Sequence, residues 1–357
     1  MKSKINYSKT GVNYNVLDPV KRLAQDAGKQ TAKNFPEVAM SRGESAYVWE
    51  EEDCFRAFVI EGLGTKNLVA DEMRKSYETI AQDTVAAIVN DIITVGAKPQ
   101  VINAYFATGD PNWFADKERS AALVEGWAKA CQMAGVTWGG GETPGLAGII
   151  NPETIDLAGS CIGIIEPKER LILGNKLTPG DAILLIESSG IHANGLSLAR
   201  VVAEKIPDGY ATKLPDGSMY GETLLIPTHI YVALIKALFE ANIDIHYMVN
   251  ITGHGFRKLM RADREFTYFI NEVPSVPEIF NFIQENSGNS DEEMYANFNM
   301  GAGFAVYLPT DQIEKAQAIA AKHNLKSWNA GVIQGGPKQV IIEPKDITFK
   351  AETLGIR

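Results

Sequence analysis

The sequence predicts an α/β protein of two domains, each a sheet with helices packed on it. The chain has 357 residues, which is more than one hydrophobic core usually organises. Both halves alternate short apolar runs with segments of helical period. Between the halves, residues 166–180 are rich in charges and turn formers. These observations place an N-terminal domain at residues 1–166, a linker at 167–180 and a C-terminal domain at 181–357.

In the N-terminal half, the clearest pattern is a strand at residues 55–60, a glycine turn at 61–66 and a long helix between Ser76 and Gly96. Ser76 is a suitable N-cap, and Gly96 with Pro99 just beyond it forms a stop signal. The other elements are predicted from the same kinds of pattern. They are a short helix at 18–28, strands at 45–49, 100–106, 136–138 and 155–165, and a helix from Asp110 to Ala134.

The C-terminal half repeats this alternation without an exact sequence repeat. Strands are predicted at 181–186, 243–249, 265–270, 303–308, 327–333 and 339–343, and helices at 196–205, 228–241, 275–285 and 311–323, with a short helix ending at 260. The polar residues 288–293 lack helical or strand periodicity. We expect this segment to be a mobile loop.

Composition indicates an ordinary soluble protein of the cytoplasm. The formal net charge is -10 and the pI is near 5.2, which argues against nucleic acid or an anionic membrane as the main partner. The three cysteines show no C-x-x-C spacing, as expected for reduced thiols. No apolar run reaches the roughly 18 residues that cross a bilayer, and the N-terminus has no signal-peptide pattern.

The long helix of the first half directs polar side chains towards the glycine turn. Asp83 and Asn90 are about two turns apart and therefore share one edge, while Asp91 lies about 80° round from Asp83. The turn itself carries Glu61 and Lys66. Carboxylates that face a lysine across a glycine-rich turn suit Mg²⁺ and phosphate. Spacing alone leaves open the alternative of an ordinary turn with solvated charges on the helix.

Two further loops are candidates for a site. Glu142 follows three glycines, so its backbone can approach a ligand closely; a solvated loop glutamate is the alternative. Residues 188–195 combine two hydroxyls, the imidazole of His192 and an amide ahead of a helix, and helix N-termini bind anions. His192 could also act as an acid or base, or simply be a solvated histidine in a capped turn.

The remaining histidines divide into two groups. His229 and His323 lie on predicted helices and are expected to be structural. His246 and His254 flank a glycine turn and are candidates for a site. None of the five histidines has the H-E-x-x-H spacing of a zinc site.

The order of these motifs resembles the aminoimidazole ribonucleotide synthetase family, also called phosphoribosylformylglycinamidine cyclo-ligase. Residues 62–66 are similar to its D-G-V-G-T-K, 139–143 to its G-G-E-T and 188–198 to its S-S-G-L-H-S-N-G-Y-S-L. Further similarities occur in the same order at residues 7–12, 82–91, 105–109, 299–301 and 331–333. The resemblance extends over nearly the whole chain.

This resemblance implies an ATP-dependent cyclisation of formylglycinamidine ribonucleotide through a phosphorylated amide, in the cytoplasm. It implies mixed sheets and a homodimer in which the N-terminal domains form a barrel. The metal ligands for Mg²⁺ would be Asp91 and Glu142. The catalytic residues would be Lys66, His192, Asn194 and His246. The nucleotide-binding residues would be Glu61, Gly62, Gly64, Thr65, Asp83, Asn90, Ser189 and Gly190.

Several positions depart from the family pattern. Glu61 stands where the family has aspartate, Asn250 where it has histidine, and His254 where it has glycine. The family's upstream glycine-rich segment is missing near residues 45–49. Two alternatives therefore stay open: another ATP-using enzyme of the same superfamily with a different amide or phosphate substrate, or a non-catalytic nucleotide-binding homologue.

Overall fold

Two separate sheets organise the chain in the computed structural model, which describes residues 4–5 and 10–355. The similarity at residues 7–12 therefore lies partly outside the described residues. The helices are α1 Tyr14–Lys29, α2 Lys66–Met73, α3 Glu78–Ile92, α4 Lys117–Ala134, α5 Leu196–Lys205, α6 Tyr220–Leu224, α7 Val232–Glu240, α8 Glu278–Ser287, α9 Asp291–Asn297 and α10 Ile313–Lys322. The strands are β1 Tyr47–Glu50, β2 Phe55–Gly62, β3 Lys98–Thr108, β4 Thr137–Glu142, β5 Ile155–Ile165, β6 Ala182–Glu187, β7 Tyr247–Asn250, β8 Phe266–Ile270, β9 Ala302–Leu308, β10 Ser327–Gly335, β11 Gln339–Ile342 and β12 Ile347–Lys350.

The first sheet has the order β1-β2-β5-β3-β4, and it is mixed because β3 and β4 run parallel while the other pairs are antiparallel. The small residues predicted on β5 allow a close helix approach. A Cβ at Gly159 would lie 2.8 Å from Cδ1 of Ile88 on α3. Residues 139–142, predicted as a loop, instead belong to β4 and pair with β3 beyond a bulge.

The two faces of this sheet differ sharply. One face packs against α3 and α4, which bury large apolar side chains such as Ile88 and Trp127. The opposite face leaves Phe58, Ile60 and Val101 exposed by 44%, 69% and 37%. An apolar sheet face of this kind is typical of a surface that packs against another protein.

The second sheet has the order β12-β11-β8-β10-β6-β9-β7 and is also mixed, since only β8 and β11 pair in parallel. Two of its interior strands, β6 and β9, are buried along almost their whole length. Strand β12 was not predicted from the sequence. The two sheets with their helices confirm the predicted α/β class.

Further segments differ from the sequence prediction. The expected mobile loop at 288–293 contains the start of α9, where Ser290 and Glu293 form a reciprocal capping box. The turn before α3 contains an additional helix, α2, which the sequence pattern did not reveal. Gly96, at φ 84°, ends the helical segment as predicted. Among the described residues, no helix is long and apolar enough to cross a membrane.

Candidate functional site

A cleft of about 760 Å³ lies between the two halves of the chain, and α1 forms one of its walls. The two sheets contribute charged groups to it from opposite sides. The lining comprises Tyr14, Lys21, Ala24, Gln25, Arg42, Gly43, Glu44, Ser45, Ile60, Glu61, Asp91, Thr252, Gly253, His254, Lys258 and Arg261. The predicted site residues Glu61 and Asp91 are therefore on the same cleft.

Carboxyl groups crowd the floor of this cleft. Glu61, at the end of β2, points to the helix-covered face of its sheet and lies against Asp91 of α3. Burial and the negative charge of Asp91 raise the pKa of Glu61 to about 8, and the nearby Lys258 offsets this only in part. Asp91 also accepts a 2.7 Å hydrogen bond from Nδ2 of Asn250. A cation bound beside Glu61 and Asp91 would offset the repulsion between these two carboxyl groups.

Two cations from the second half face these carboxyl groups. Lys258 is buried, and burial lowers its pKa to about 8 while Asp91 raises it. Its ammonium group donates to Oγ1 of Thr252. Arg261 donates to the carbonyl of Gly43 (3.0 Å) and to Oγ of Ser45 (2.8 Å). Carboxylates opposite buried cations suit a metal-bound polyphosphate.

Sequence reasoning missed Lys258 and Arg261. Both lie in the short helical turn Gly255–Met260 or directly after it, three residues apart. The signal available was this basic pair directly after a glycine turn already singled out as a possible site.

Lys66, Asp83 and Asn90 lie between the two halves, away from the open cleft. Nζ of Lys66 is 2.8 and 2.9 Å from the two carboxylate oxygens of Asp83, and both side chains are completely buried. Lys66 also donates to the carbonyl of Ile226 (2.7 Å), and Asp83 accepts from the backbone N–H of Thr228 (2.8 Å). Lys66, which was predicted to face the phosphates, therefore forms an ion pair with Asp83 in this structure.

Asn90 extends the same set of contacts. Its Nδ2 donates to the carbonyl of His229 (2.7 Å) and its Oδ1 accepts from the N–H of Tyr231 (2.9 Å). Asp83 and Asn90 do share one edge of α3, as predicted, and both bind residues in the segment 228–231. That edge fastens the second half of the chain to α3.

The loop 188–195 is folded back on itself. The N–H of Ser189 donates to Nε2 of His192 (3.2 Å), and Oγ of Ser189 donates to the carbonyl of Pro227 (2.6 Å). His192 has a φ of 60° and is buried, and burial lowers its pKa well below its usual value. A neutral imidazole follows. Gly190 has a φ of 140° and open space where a Cβ would lie.

Asn194 connects this loop to the cleft, because its Oδ1 accepts from the N–H of Gly253 (3.1 Å). The glycine turn after β2 approaches the same region: Oγ1 of Thr65 is 3.4 Å from Oγ of Ser197. Gly64 has a φ of 79° with open space beside it, whereas Gly62 is still part of β2.

His246 lies elsewhere. Its Nδ1 is 2.7 Å from Oδ2 of Asp181 and its Nε2 is 3.2 Å from Oδ2 of Asp244. It does not line the cleft. The structure therefore does not bring this predicted catalytic residue to the other candidates.

Glu142 is also separated from Asp91 within one chain. Its lateral partners across the sheet are Tyr105, Ala158 and Gly62, which puts it three strands, roughly 14 Å, from β2. It is exposed and does not line the cleft. Among residues 4–5 and 10–355, no group of three or more His, Cys, Asp or Glu side chains could hold a metal alone.

Comparison with known families agrees with the two-part architecture. Residues 43–165 match the family described as "AIR synthase related protein, N-terminal domain". Residues 178–343 match "AIR synthase related protein, C-terminal domain". The boundary between the two matches falls in the charged, turn-rich segment.

Two curated relatives carry the same name. A protein of Methanothermobacter thermautotrophicus named phosphoribosylformylglycinamidine cyclo-ligase is 36% identical over 317 residues, covering 88% of this chain and 91% of the relative. A protein of the same name from Methanococcus maripaludis is 33% identical over 331 residues, covering 92% of each. Both similarities extend across the two halves.

A solved structure shares the fold at lower sequence identity. The structure titled "AaThiL complexed with AMPPCP and TMP" has a TM-score of 0.62, 14% identity and 95% coverage of both chains. At this identity the likeness shows the fold alone.

Proposed function

This chain belongs to the AIR synthase-related family, and we propose on that premise that it is a phosphoribosylformylglycinamidine cyclo-ligase. It would use ATP to close the imidazole ring of aminoimidazole ribonucleotide in purine biosynthesis, in the cytoplasm. The observation that carries this proposal is the 36% identity over 88% of the chain with a relative of that name. The charged cleft between the two halves supports it.

The cleft fits a nucleotide with Mg²⁺. Glu61 and Asp91 are two neighbouring carboxyl groups, and burial together with the negative charge of Asp91 raises the pKa of Glu61. Mg²⁺ is usually held by one or two carboxylates together with water and phosphate oxygens. We assign Glu61 and Asp91 to the metal. Bound there, the ion would neutralise charge on the transferring phosphoryl group.

The chain's own cations serve the same phosphoryl transfer. Lys258 and Arg261 are already fixed by hydrogen bonds before substrate arrives. Such preorganised charges stabilise a transition state without rearrangement, and phosphoryl transfer requires positioning more than a nucleophilic side chain. ATP would phosphorylate the formyl oxygen with release of ADP. A nitrogen of the substrate's amidine group would then attack the activated formyl carbon and lose its proton, and inorganic phosphate would leave with the formyl oxygen as the ring closes.

The loop 188–195 and the glycine turn would bind the remaining parts of the two substrates. Asn194 reaches the cleft through its contact with the N–H of Gly253, and Ser189, Gly190 and His192 belong to the same loop. We assign the reacting part of the ribonucleotide to them. We assign the nucleotide to residues 62–65. Lys66, Asp83 and Asn90 would act indirectly, by holding the two halves at their correct separation.

We also propose that the chain is a homodimer that buries the exposed face of the first sheet. Phe58 and Ile60 are the large apolar side chains there. Glu142 shares a lateral row with Gly62, so it is on the same face. Packing of a second copy on this face would bring Glu142 to the interface. Asp91 and Glu142 could share a cation only across two copies.

The test is to incubate the purified protein with ATP, Mg²⁺ and formylglycinamidine ribonucleotide. We expect aminoimidazole ribonucleotide and ADP in a one-to-one ratio, and little ADP when the ribonucleotide is omitted. ADP release with another amide or phosphate compound instead would indicate a sister enzyme of the superfamily. Nucleotide binding without turnover for every compound would indicate a non-catalytic homologue.

A further inference from the structure

His254 occupies a backbone conformation that normally favours glycine. Its φ is 68°, in the left-handed region, and it stands between Gly253 and Gly255. A residue with a Cβ is disfavoured there, so it persists only where the surroundings compensate. The side chain is buried. Contacts with another segment must therefore offset the cost of the left-handed backbone at His254 and of burying its ring.

That partner is helix α1. The imidazole of His254 stacks on the ring of Tyr14, with centroids 3.7 Å apart and planes inclined by 28°. Its Nε2 lies 3.2 Å from Oδ2 of Asp18, and its backbone N–H donates to Oη of Tyr14 at 3.2 Å. Burial lowers the pKa of His254 to about 3, so the ring is neutral and its Nε2–H donates a hydrogen bond to Oδ2 of Asp18. His254 thus makes three contacts with the first turns of α1, two through its ring and one through its backbone N–H.

Beyond its first turns, most side chains of α1 are exposed. At the C-terminal end of α1, Arg42 donates to the carbonyl of Gly28 (3.3 Å). In the middle of the helix, Arg22 donates to the carbonyl of Gly355 (3.2 Å). A helix of 16 residues is marginal in water by itself. The contacts with His254 therefore help to keep α1 folded in place.

Helix α1 is also a wall of the cleft, to which it contributes Lys21 and Gln25. We propose that His254 is a positioning residue that fastens α1 across the mouth of the substrate cleft. In the fastened position the helix narrows the cleft and holds Lys21 near the incoming anionic substrates. The kinetic part of this proposal rests on the proposed function, whereas the attachment of α1 does not.

The experiment compares His254→Gly with the unchanged protein by hydrogen exchange of the α1 backbone amides. Glycine suits φ 68°, so the variant keeps the loop conformation and removes only the ring. We expect exchange in α1 to accelerate at least about tenfold, which corresponds to losing one stacked pair and one hydrogen bond. Exchange in α3 and β6 should not change, which separates detachment of α1 from general unfolding.

A matched control is Asn242→Gly. Asn242 is another non-glycine residue with a left-handed φ, 54°, but it is exposed at the end of α7. We expect this variant to leave exchange in α1 unchanged. Tyr14→Leu supplies the second side of a double-mutant cycle. Since both variants remove the same stacked pair, the double variant should accelerate exchange by less than the product of the two single effects.

Kinetics give the second readout. In His254→Gly, KM for the ribonucleotide should rise about tenfold or more while kcat changes little, because α1 positions substrate and takes no part in the chemistry. Unchanged exchange in α1 would overturn the proposal, whatever the activity. Faster exchange with an unchanged KM would overturn the role at the cleft. If the unchanged protein shows no turnover, the exchange result still decides whether His254 fastens α1, and the proposed function alone fails.

Discussion

The buried Lys66–Asp83 ion pair allows a quantitative prediction about how the two halves are joined. Lys66→Met would leave Asp83 charged and unpaired, at a site where both side chains are 0% exposed. Removing one partner of a buried pair costs about 3–5 kcal/mol of unfolding free energy. Loss of the bond to Ile226 adds about 1 kcal/mol. We expect a decrease of about 4–6 kcal/mol in total.

The assay is urea unfolding followed by circular dichroism, with Lys129→Met as the matched control. Lys129 pairs with Glu78 at 2.6 Å, but the two side chains are 65% and 47% exposed. An exposed pair contributes about 0–1 kcal/mol, so this control should unfold almost as the unchanged protein does.

A double variant distinguishes the loss of the Lys66–Asp83 attraction from the cost of leaving the buried Asp83 carboxylate without a cation. Lys66→Met combined with Asp83→Leu removes both charges, so it should be more stable than Lys66→Met alone. The reasoning is refuted if Lys66→Met is as mild as Lys129→Met, or if removing Asp83 as well makes the protein still less stable.

Three further predictions concern the cleft and the sheet face. The native pKa of Glu61, about 8, is above the ordinary 4.5. Its contribution to the free energy of unfolding is therefore complete below about pH 4.5 and is lost as pH rises through about 8. Denaturant titrations from about pH 5 to 8 should show this loss of stability, and Glu61→Gln should abolish the pH dependence. Asn250→Leu should cost about 1–3 kcal/mol because Oδ1 of Asp91 loses its donor; an unchanged urea midpoint would contradict this. Ile60→Glu should yield monomers in sedimentation experiments while Val124→Glu, at another exposed apolar position, leaves dimers; dimers of both variants would refute the proposed interface.

The regular elements were predictable because their signals are local. Strand β5 was predicted with the observed bounds, Ile155–Ile165, from its alternation, and α5 from its amphipathic spacing. Helix α9 was missed although the capping pair Ser290 and Glu293 marks its start. There the short polar helix has too few apolar residues for periodicity to reveal it. Strand β12 is short and was missed for a similar reason.

The site was predictable only in part, because its contacts join distant segments. The shared edge of Asp83 and Asn90 follows from helical geometry, but the segment they bind lies about 140 residues further along the chain. Lys258 acquires its position from tertiary packing against Asp91. A sequence pattern gives the direction of a side chain along one element and not the partner that packs against it. This is also why the separation of Asp91 from Glu142 appeared only in the structure.

The most direct test of the central claim is the kcat/KM for imidazole formation in Lys258→Met. The central claim is that phosphoryl transfer takes place in the cleft where Lys258 faces Glu61 and Asp91. Removing one preorganised charge-stabilising donor typically costs about 10²–10³ in rate, so we predict a decrease of that size with the fold retained. Lys322→Met, at an exposed position on α10, should keep full activity. Equal activity of Lys258→Met and the unchanged protein would contradict the account.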